Sequence, residues 1–287
     1  MTTPAGTLFV VATPIGNLED MTPRAVEVLG SVALVAAEDT RVSRALLQRF
    51  GITTPLVSLH EHNERQRAPD IIARLRAGER VALISDAGTP LLSDPGYHLV
   101  AAAHEAGITV LSLPGANAVV TLLAGAGLPG GAFCFAGFPP TRHAERLRFF
   151  RQAAGRAETL VCFEAPHRIV GALEDMALAF GPGRLAAVGR ELTKRFEEVK
   201  RAPLEDLVTW VQAEGGRRLR GEFVVAVAGN PTPPRATSGI EAEELVETLL
   251  TELPPARAAA LAARVLHRPK KELYRLALTL TSRHESR

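Results

Sequence analysis

The amino-acid sequence predicts an α/β protein with two α/β domains and a small C-terminal helical domain. Over the first third of the chain, runs rich in Val, Leu and Ile alternate with helical patterns, which is typical of a doubly wound parallel sheet covered on both faces. Of the further strand-like runs, two or more follow one another with little room for a helix, which favours a mixed sheet. A proline-rich stretch, GNPTPPRATSG, separates them from three helical patterns. The predicted divisions are domains at 1–114 and 115–229, a linker at 230–239, and a helical domain at 240–287.

The first predicted elements are a strand, TLFVVA (7–12), and a helix, TPRAVEVLG (22–30). Thr22 is a suitable N-cap for that helix, and Pro23 suits its first turn. Four more strand–helix units begin at VALVAA, PLVSL, RVALI and ITVLSL. The second domain is predicted to contain the strands AFCFAG, ETLVCFE, RLAAVGRE, FEEVKR and GEFVVAVAG.

The last two helical patterns, PARAAALAARVLH and PKKELYRLALTL, meet at Arg268-Pro269. This arrangement resembles a helix-turn-helix, although any small helical bundle would show the same pattern.

Composition excludes several classes of protein. Of the 287 residues, 46% are hydrophobic and 22% charged, which is typical of a globular protein. No run approaches the roughly 20 apolar residues of a membrane span, and no basic segment precedes the first strand, so we expect a cytoplasmic protein with no membrane partner. Cys134 and Cys162 lie in apolar runs and are expected to be buried free thiols.

Two other motifs are given no chemical role. The histidines of HEHNE (60–64) are too few for a metal site, since no further ligand lies at a suitable spacing, and we expect no metal. The glycines of GAGLPG (125–130) follow a helical pattern and lead into a strand, whereas a dinucleotide-binding loop does the reverse. We expect that segment to be a connection.

Charge is distributed unevenly along the chain. The net charge is +2, but residues 254–287 carry eight Lys or Arg and two Glu, so the tail has a local charge of +6 and the remainder −4. A basic segment favours an anionic partner such as RNA. A solvated helix face would explain it equally well.

Five distinctive loops follow the five strands of the predicted parallel sheet: TPIGNLEDMT, EDTR, HEHNE, SDAGTPLLSDPG and PGANA. The carboxyl ends of parallel strands meet at one edge, where open α/β sheets bind their ligands. The loops are therefore predicted to line one shared cleft.

Seven motifs together resemble the ribosomal RNA small subunit methyltransferase I family of the tetrapyrrole methylase superfamily. They are VATPIGNLEDMTPRAVEVL, AAEDTR, SDAGTPLLSDPGY, LPGANA, FAGFPP, FEAPHR and RELTKRFEE, and they occur in order between about residues 7 and 229, with KKELY near the end. The first and fourth loops differ from those of superfamily relatives that act on tetrapyrroles, which favours the RNA branch.

The resemblance implies 2′-O-ribose methylation of a cytidine in the decoding region of small-subunit (16S) ribosomal RNA, with S-adenosylmethionine as methyl donor. It implies a homodimer, with the donor between two α/β domains. The RNA substrate could be free or part of the assembled small ribosomal subunit. The residues implied to contact the donor are Pro14, Ser85, Asp86, Gly88, Leu91, Asn117, Ala118 and Glu164. Residues suited to holding RNA are Arg41, Arg168, Arg190, Arg195, Lys270 and Lys271.

A ribose hydroxyl is a poor nucleophile at neutral pH, so the reaction requires a base or strong charge alignment. The catalytic candidates are Glu38, Asp39, Glu191, Lys194 and Glu164; lysine could serve only if desolvation lowered its pKa. The sequence does not choose among them. It also leaves two competing functions, a small-molecule methyltransferase of the same fold and a non-catalytic RNA-binding assembly factor.

Overall fold

The computed structural model describes residues 6–232, 242–266 and 268–285. The strands are β1 (Thr7–Val11), β2 (Leu34–Ala37), β3 (Leu56–Ser58), β4 (Arg80–Ile84), β5 (Thr109–Leu113), β6 (Phe133–Phe135), β7 (Thr159–Glu164), β8 (Leu185–Arg190), β9 (Glu198–Pro203) and β10 (Phe223–Val227). The helices are α1 (Pro23–Ser31), α2 (Thr40–Arg49), α3 (Glu64–Arg76), α4 (Tyr97–Glu105), α5 (Ala118–Ala126), α6 (His143–Ala153), α7 (Ile169–Phe180), α8 (Leu204–Gln212), α9 (Ala242–Leu250), α10 (Pro255–Leu266) and α11 (Lys270–Glu285). Short 3-10 helices lie at Leu18–Asp20 and Glu214–Leu219.

The first sheet is parallel throughout, in the order β3-β2-β4-β1-β5, as the sequence predicts. The central strands β1, β2 and β4 are buried almost along their whole length, because helices cover both faces. Helix α1 begins where expected, with the Thr22 hydroxyl accepting a hydrogen bond from the Ala25 amide. This topology brings the carboxyl ends of β1 and β4 side by side.

The second sheet is mixed, also as predicted, in the order β6-β7-β10-β8-β9. Strand β6 runs parallel to β7, and the remaining neighbours are antiparallel. Strand β10, the last in the chain, occupies the centre. Its registry places Phe223 opposite both Glu164 and Arg190, so the ends of β7 and β8 lie beside the start of β10.

The chain forms two compact units. The first, residues 1–154 and 158–229, contains both sheets, and the second, residues 155–157 and 230–287, contains α9, α10 and α11 around their own apolar core. The sequence-based division of the α/β region at residue 114 stays a prediction. Residues 233–239 of the predicted linker, and residues 240, 241, 267, 286 and 287 of the predicted helical domain, lie outside the described residues.

Several smaller expectations are also answered by the structure. Both cysteines are free thiols; Cys162 is buried and Cys134 partly so. The GAGLPG segment connects α5 to β6, and Gly127 ends the helix in the left-handed conformation. None of the helices in the described parts of the chain is both long and apolar enough to cross a membrane.

Candidate active site

Three loops at the carboxyl edge of the first sheet are joined by hydrogen bonds. Thr13, after β1, pairs through its backbone with Gly88, after β4, with N···O distances of 2.9 and 3.0 Å. The Thr89 hydroxyl donates to the Ala116 carbonyl (3.2 Å), and the Asn117 side-chain amide donates to the Thr89 hydroxyl (3.3 Å). The loops therefore form one continuous surface.

A cavity of about 420 Å³ lies against this surface. On the side of the first sheet it is lined by Ile15, Ala87, Gly88, Thr89, Leu92, Ser93, Asp94, Asn117 and Ala118. On the side of the second sheet it is lined by Phe138, Phe163, Glu164, Ala165, Pro166, Leu192, Glu222, Phe223 and Val224. A largely apolar wall with a few polar groups, at this volume, is typical of a small-molecule or cofactor site.

The second-sheet wall contains packed aromatic rings and paired charges. The Phe163 ring contacts those of Phe135 and Phe138, at centroid distances of 4.8 and 5.6 Å. The fully buried Glu164 carboxylate pairs with Arg168 at 3.0 Å. Burial raises the pKa of Glu164 above its usual range even with Arg168 beside it. The wall therefore combines apolar area with a paired, buried carboxylate.

A second ion-pair group borders the same wall. Lys194 Nζ lies 3.0 Å from Glu191 Oε1 and 2.9 Å from Glu222 Oε2. A β-carbon at Gly16 would overlap the Lys194 side chain, so the glycine of the first loop lets this lysine pack against it.

Backbone strain is concentrated beside the cavity. Among the described residues, the non-glycine residues with positive φ are Leu91 (73°), Ser93 (72°), Glu191 (51°) and Thr193 (65°). One pair lies in the loop after β4, and the other in the loop after β8. Residues held in the left-handed region cluster at functional sites, where the surrounding structure holds them in place.

Three carboxylates gather behind and within the first-sheet wall, from Glu38, Asp86 and Asp94. Burial and the Asp86 charge raise the pKa of Glu38 above its usual range. Burial, together with the charges of Glu38 and Asp86, raises the pKa of Asp94 to about 6, against a lowering effect of the Ser85 hydroxyl. This edge of the sheet is negatively charged, and its charges repel one another.

The eight residues predicted to contact the donor fall into two groups. Gly88, Asn117, Ala118 and Glu164 line the cavity, whereas Pro14, Ser85, Asp86 and Leu91 lie outside its wall. The Ser85 hydroxyl, for example, donates to the Gly88 carbonyl at 3.2 Å, and Asp86 Oδ1 accepts from the Asp39 amide at 3.0 Å. Both hold the loop in shape from behind, and direct donor contact by this second group stays a prediction.

The first two catalytic candidates occupy different positions. Asp39 is the N-cap of α2, accepts from the Arg41 amide at 2.8 Å and pairs with the Arg41 guanidinium at 2.7 Å. Its hydrogen bonds with Arg41 lower the pKa of Asp39 to about 2. Asp39 therefore has a structural role, as a helix cap paired with Arg41, whereas Glu38 has a raised pKa and no such pairing. The EDTR and HEHNE loops lie outside the cavity wall, so of the five predicted loops only those after β1, β4 and β5 contribute to it.

Lys194 and Glu191 are tightly paired. Burial by itself lowers the pKa of Lys194, but the hydrogen bonds to Glu222 and Glu191 outweigh it and raise the pKa above its usual range. The condition under which Lys194 could act as a base is therefore not met in this structure. Burial by itself raises the pKa of Glu191. The hydrogen bonds from the Glu222 amide and Lys194 outweigh it and lower the pKa below its usual range.

The residues predicted to hold RNA also divide into two groups. Arg41, Arg195, Lys270 and Lys271 are exposed. Arg168 and Arg190 are mostly buried and bind within the protein: Arg168 Nη2 donates to the Pro139 carbonyl at 2.6 Å, and Arg190 Nε to the Arg220 carbonyl at 2.7 Å. Phosphate binding by this second pair stays a prediction, and it would compete with these bonds.

Sequence reasoning gave no role to several residues of the cavity. Asp94 lies in the SDAGTPLLSDPG loop, where the turn-forming sequence Ser-Asp-Pro-Gly around it could have indicated a functional residue. Phe138 lies in the FAGFPP motif and is 56% exposed, which is unusual for phenylalanine. Glu222 carries no local signal, because only the central placement of β10 brings it to the cavity.

Comparison with protein families gives two matches. The model described as Tetrapyrrole (Corrin/Porphyrin) Methylases matches residues 7–208, and the RsmI C-terminal HTH domain matches residues 236–281. The first match covers most of the α/β region. The second coincides with the three C-terminal helices and fits the predicted helix-turn-helix.

Individual relatives match over nearly the full length. The chain is 51% identical to ribosomal RNA small subunit methyltransferase I of Pseudomonas aeruginosa, over 96% of this chain and 97% of the relative. It is 45% identical to the protein of the same name from Escherichia coli O157:H7, over 95% of each. The fold resembles that of uroporphyrin-III-C-methyltransferase from Thermus thermophilus, with a TM-score of 0.54 at 23% identity, over 78% of this chain and 94% of the other. A structure of that enzyme complexed with S-adenyl homocysteine has a TM-score of 0.51 at 19% identity, over 78% and 97%.

Proposed function

The chain belongs to the ribosomal RNA small subunit methyltransferase I family, whose methyl donor is S-adenosylmethionine, and we propose that its acceptor is the 2′-hydroxyl of a cytidine in the decoding region of 16S ribosomal RNA. The observation that carries this proposal is the extent of the likeness. It spans both sheets and the C-terminal helices at 51% identity, whereas the likeness to solved tetrapyrrole enzymes is confined to the fold.

The cavity supports binding of the donor. Its aromatic and aliphatic wall suits the adenine ring, and its carboxylates suit a ligand that carries sulfonium and ammonium charges. Gly88 has φ +85°, and a β-carbon there would lie 3.1 Å from Ile15 Cγ2, so glycine keeps this wall open to a ligand. Gly88, Asn117, Ala118 and Glu164 are the residues that would form the walls of the donor site.

The donor supplies an activated methyl group, so the chief task of the protein is to orient the reactants. Holding an oxygen nucleophile and a methyl carbon at near-attack distance can contribute roughly 7–11 kcal/mol. The hydrogen-bonded loops after β1, β4 and β5, together with the strained Leu91 and Ser93, give the cavity a fixed shape for this purpose. As the acceptor hydroxyl attacks the methyl group, its proton must pass to a base.

Among the catalytic candidates, Glu38 suits that role best. Burial also raises the pKa of Glu164, but that carboxylate is paired with Arg168. Asp39 is paired, and its pKa of about 2 makes it a weak base. Lys194 carries a proton, and Glu191 is occupied by Lys194 and the Glu222 amide. The pKa of Glu38 is raised towards neutrality by burial and by Asp86, as a general base requires.

Several exposed basic groups are suited to the RNA. Arg195 lies over the Phe196 ring at 5.6 Å, and that ring is 62% exposed, an arrangement that offers both charge and a stacking surface. Lys270 and Lys271, at the start of α11, add positive charge in the second unit. We assign Arg195, Phe196, Lys270 and Lys271, together with Arg41, to contacts with the RNA. Such a substrate implies a cytoplasmic enzyme.

A homodimer is part of the same proposal. Strand β5 forms an edge of the first sheet, and Thr109, Leu111 and Ser112 are exposed, although strands of a parallel sheet are normally covered. Val120 on α5 is also 56% exposed. A second copy of the chain would cover the exposed Leu111 and Val120 side chains, and light scattering of the purified protein measures whether it forms a dimer.

The decisive experiment is methyl transfer in vitro from isotopically labelled S-adenosylmethionine. The acceptors are 16S RNA and small ribosomal subunits from cells that lack this protein. We expect one labelled cytidine, whose 2′-O-methyl group protects the adjacent phosphodiester from alkaline cleavage. A label on a base, or on another RNA, would contradict the proposed acceptor.

The same preparation tests the two competing functions. Calorimetric titration with S-adenosylmethionine should show binding, whereas a non-catalytic assembly factor would show none. A tetrapyrrole offered as acceptor should remain unmethylated, and its methylation would favour the small-molecule alternative.

A further inference from the structure

Asp94 differs from the other carboxylates that line the cavity. Glu164 pairs with Arg168, and Glu222 pairs with Lys194. Asp94 lines the same cavity but forms no ion pair with any described residue. It is half-buried, and the loop that carries it has left-handed backbone at Leu91 and Ser93.

The groups around Asp94 do not neutralise it. Glu38 approaches from the end of β2 and Asp86 from the end of β4, and both act on it as negative charges. The Ser85 hydroxyl is a neutral hydrogen-bond donor. His60, at the end of β3, acts on Glu38. On the opposite wall, the Arg168 and Lys194 cations are already paired with Glu164 and with Glu191 and Glu222, respectively.

A half-buried carboxylate with like charges beside it is costly to ionise unless a cation accompanies it. S-adenosylmethionine carries a sulfonium and an ammonium charge against one carboxylate, so it is a net cation, and its proposed site is this cavity. We propose that Asp94 is the counter-ion that holds the positive charge of the methyl donor. This assignment rests on the proposed function and adds a residue to the donor site.

The proposal has a consequence for pH dependence. In the free protein the pKa of Asp94 is about 6, and a bound cation would lower it. Donor affinity should therefore be full above pH 6 and fall as the pH drops below 6, because the free protein takes up a proton that the complex must release. If the pKa in the complex lies well below 5, the affinity at pH 5 should be about tenfold weaker than at pH 7.

The experiment is calorimetric titration of the full-length protein with S-adenosylmethionine at pH 5, 6 and 7, in two buffers of different ionisation enthalpy. The wild-type protein should release part of a proton on binding at pH 6. Asp94→Asn should bind at least tenfold more weakly at pH 7, with no pH dependence over this range. Asp70→Asn, the same change at an exposed site on α3, should behave as wild type.

Stability separates this role from a structural one. Because the folded-state pKa of Asp94 is raised, its ionised form disfavours the fold above that pKa, and Asp94→Asn should raise the thermal unfolding midpoint of the ligand-free protein at pH 7. A structural role predicts the reverse. S-adenosylhomocysteine lacks the sulfonium charge, so an unchanged pH dependence with this ligand identifies the ammonium group as the partner, and its loss identifies the sulfonium.

Two results would overturn the inference while leaving the proposed function intact. One is wild-type affinity for S-adenosylmethionine that does not change between pH 5 and pH 7. The other is unaltered donor affinity in Asp94→Asn with a lower rate of methyl transfer, which would move Asp94 to the acceptor side. Failure of the wild-type protein to bind the donor at pH 7 would instead contradict the proposed function itself.

Discussion

The acidic residues of the two cavity walls differ in whether a cation accompanies them, although burial raises the pKa of Glu164 as well. On the second-sheet wall, each carboxylate that borders the cavity has a cation beside it: Glu164 has Arg168, and Glu191 and Glu222 share Lys194. On the first-sheet side, Glu38, Asp86 and Asp94 face one another, and burial and mutual repulsion raise the pKa values of Glu38 and Asp94.

The difference separates structural charges from functional ones. A buried pair stabilises a loop only while both partners are present, since loss of one leaves an uncompensated charge. Carboxylates that repel one another make the fold less stable and leave room for a cationic ligand or a proton. The second-sheet wall is therefore built for rigidity, and the first-sheet wall for binding and proton transfer.

The largest effect is expected from Glu38→Gln, which removes a carboxylate from the repelling group. Turnover should fall on the order of 10²–10⁴-fold, because the proposed base is lost, while donor affinity changes little. Folding stability should hold or rise, since the raised pKa of Glu38 shows that its ionised form is disfavoured in the fold. Single-turnover methylation and thermal unfolding measure the two quantities.

Asp39→Asn is the matched control for that change. It weakens the ion pair with the exposed Arg41 and should lower the unfolding midpoint slightly at low salt, with near-normal turnover. Normal turnover in Glu38→Gln would remove Glu38 from the mechanism and direct attention to Glu191 and Lys194.

The next effect tests the paired wall. Arg168→Met leaves the Glu164 carboxylate buried without its partner, and the loss should be about 3 kcal/mol of unfolding free energy. Urea denaturation measures it. Adding Glu164→Gln to Arg168→Met should recover much of the loss, because the unpaired charge is then gone. If the single variant were as stable as wild type, the distinction between the two walls would fail.

A smaller effect on donor binding is expected from Gly88→Val. The added side chain meets Ile15 and must adopt φ +85°, so overpacking of about 1–3 kcal/mol should weaken donor binding roughly tenfold to hundredfold. Gly30→Val is the control, because Gly30 is exposed and has open space around its β-carbon position. Unchanged donor affinity in a folded Gly88→Val protein would contradict the placement of the donor.

The smallest effect concerns a region that belongs to neither wall. Deleting residues 238–287 leaves every residue that lines the cavity in place, so donor binding should be unchanged. RNA affinity should fall roughly tenfold, and the salt dependence should weaken, because fewer counterions are released. Filter binding across a salt series measures both. An unaltered salt slope would show that the basic tail is structural, and Lys270→Glu with Lys271→Glu in the full-length chain tests its charge alone.

Local pattern was enough to predict the first sheet and three of the loops at the cavity. The strands are continuous apolar runs, and Thr22 with Pro23 marks the start of α1 unambiguously. Contacts between residues that are far apart in the chain could not be predicted from the local sequence. Arg190 was predicted to hold RNA because a guanidinium group suits phosphate. In the structure it instead contacts the Arg220 carbonyl and Glu198, which only the folded chain brings beside it.

The same dependence on distant contacts explains why the sequence predicted no role for Asp94 and Glu222. Asp94 has only a turn signal around it and Glu222 has no local signal, and the importance of each depends on which charges the folded chain places beside it. Glu164 and Arg168 were likewise predicted separately, as a donor contact and an RNA contact, and the turn between β7 and α7 brings them together.

The central position of β10 has a consequence for how the protein is made. The first sheet is complete once β5 has been synthesised, but the second sheet lacks its middle strand until about 114 more residues have been added. Strand β8 ends at Arg190, so about 37 residues remain to be added before β10 is complete. At about 5–20 residues per second, β7 and β8 therefore have no partner between them for roughly 2–7 s. The nascent chain thus exposes two apolar strand edges late in translation, and the site becomes functional only when nearly all of the first unit has left the ribosome.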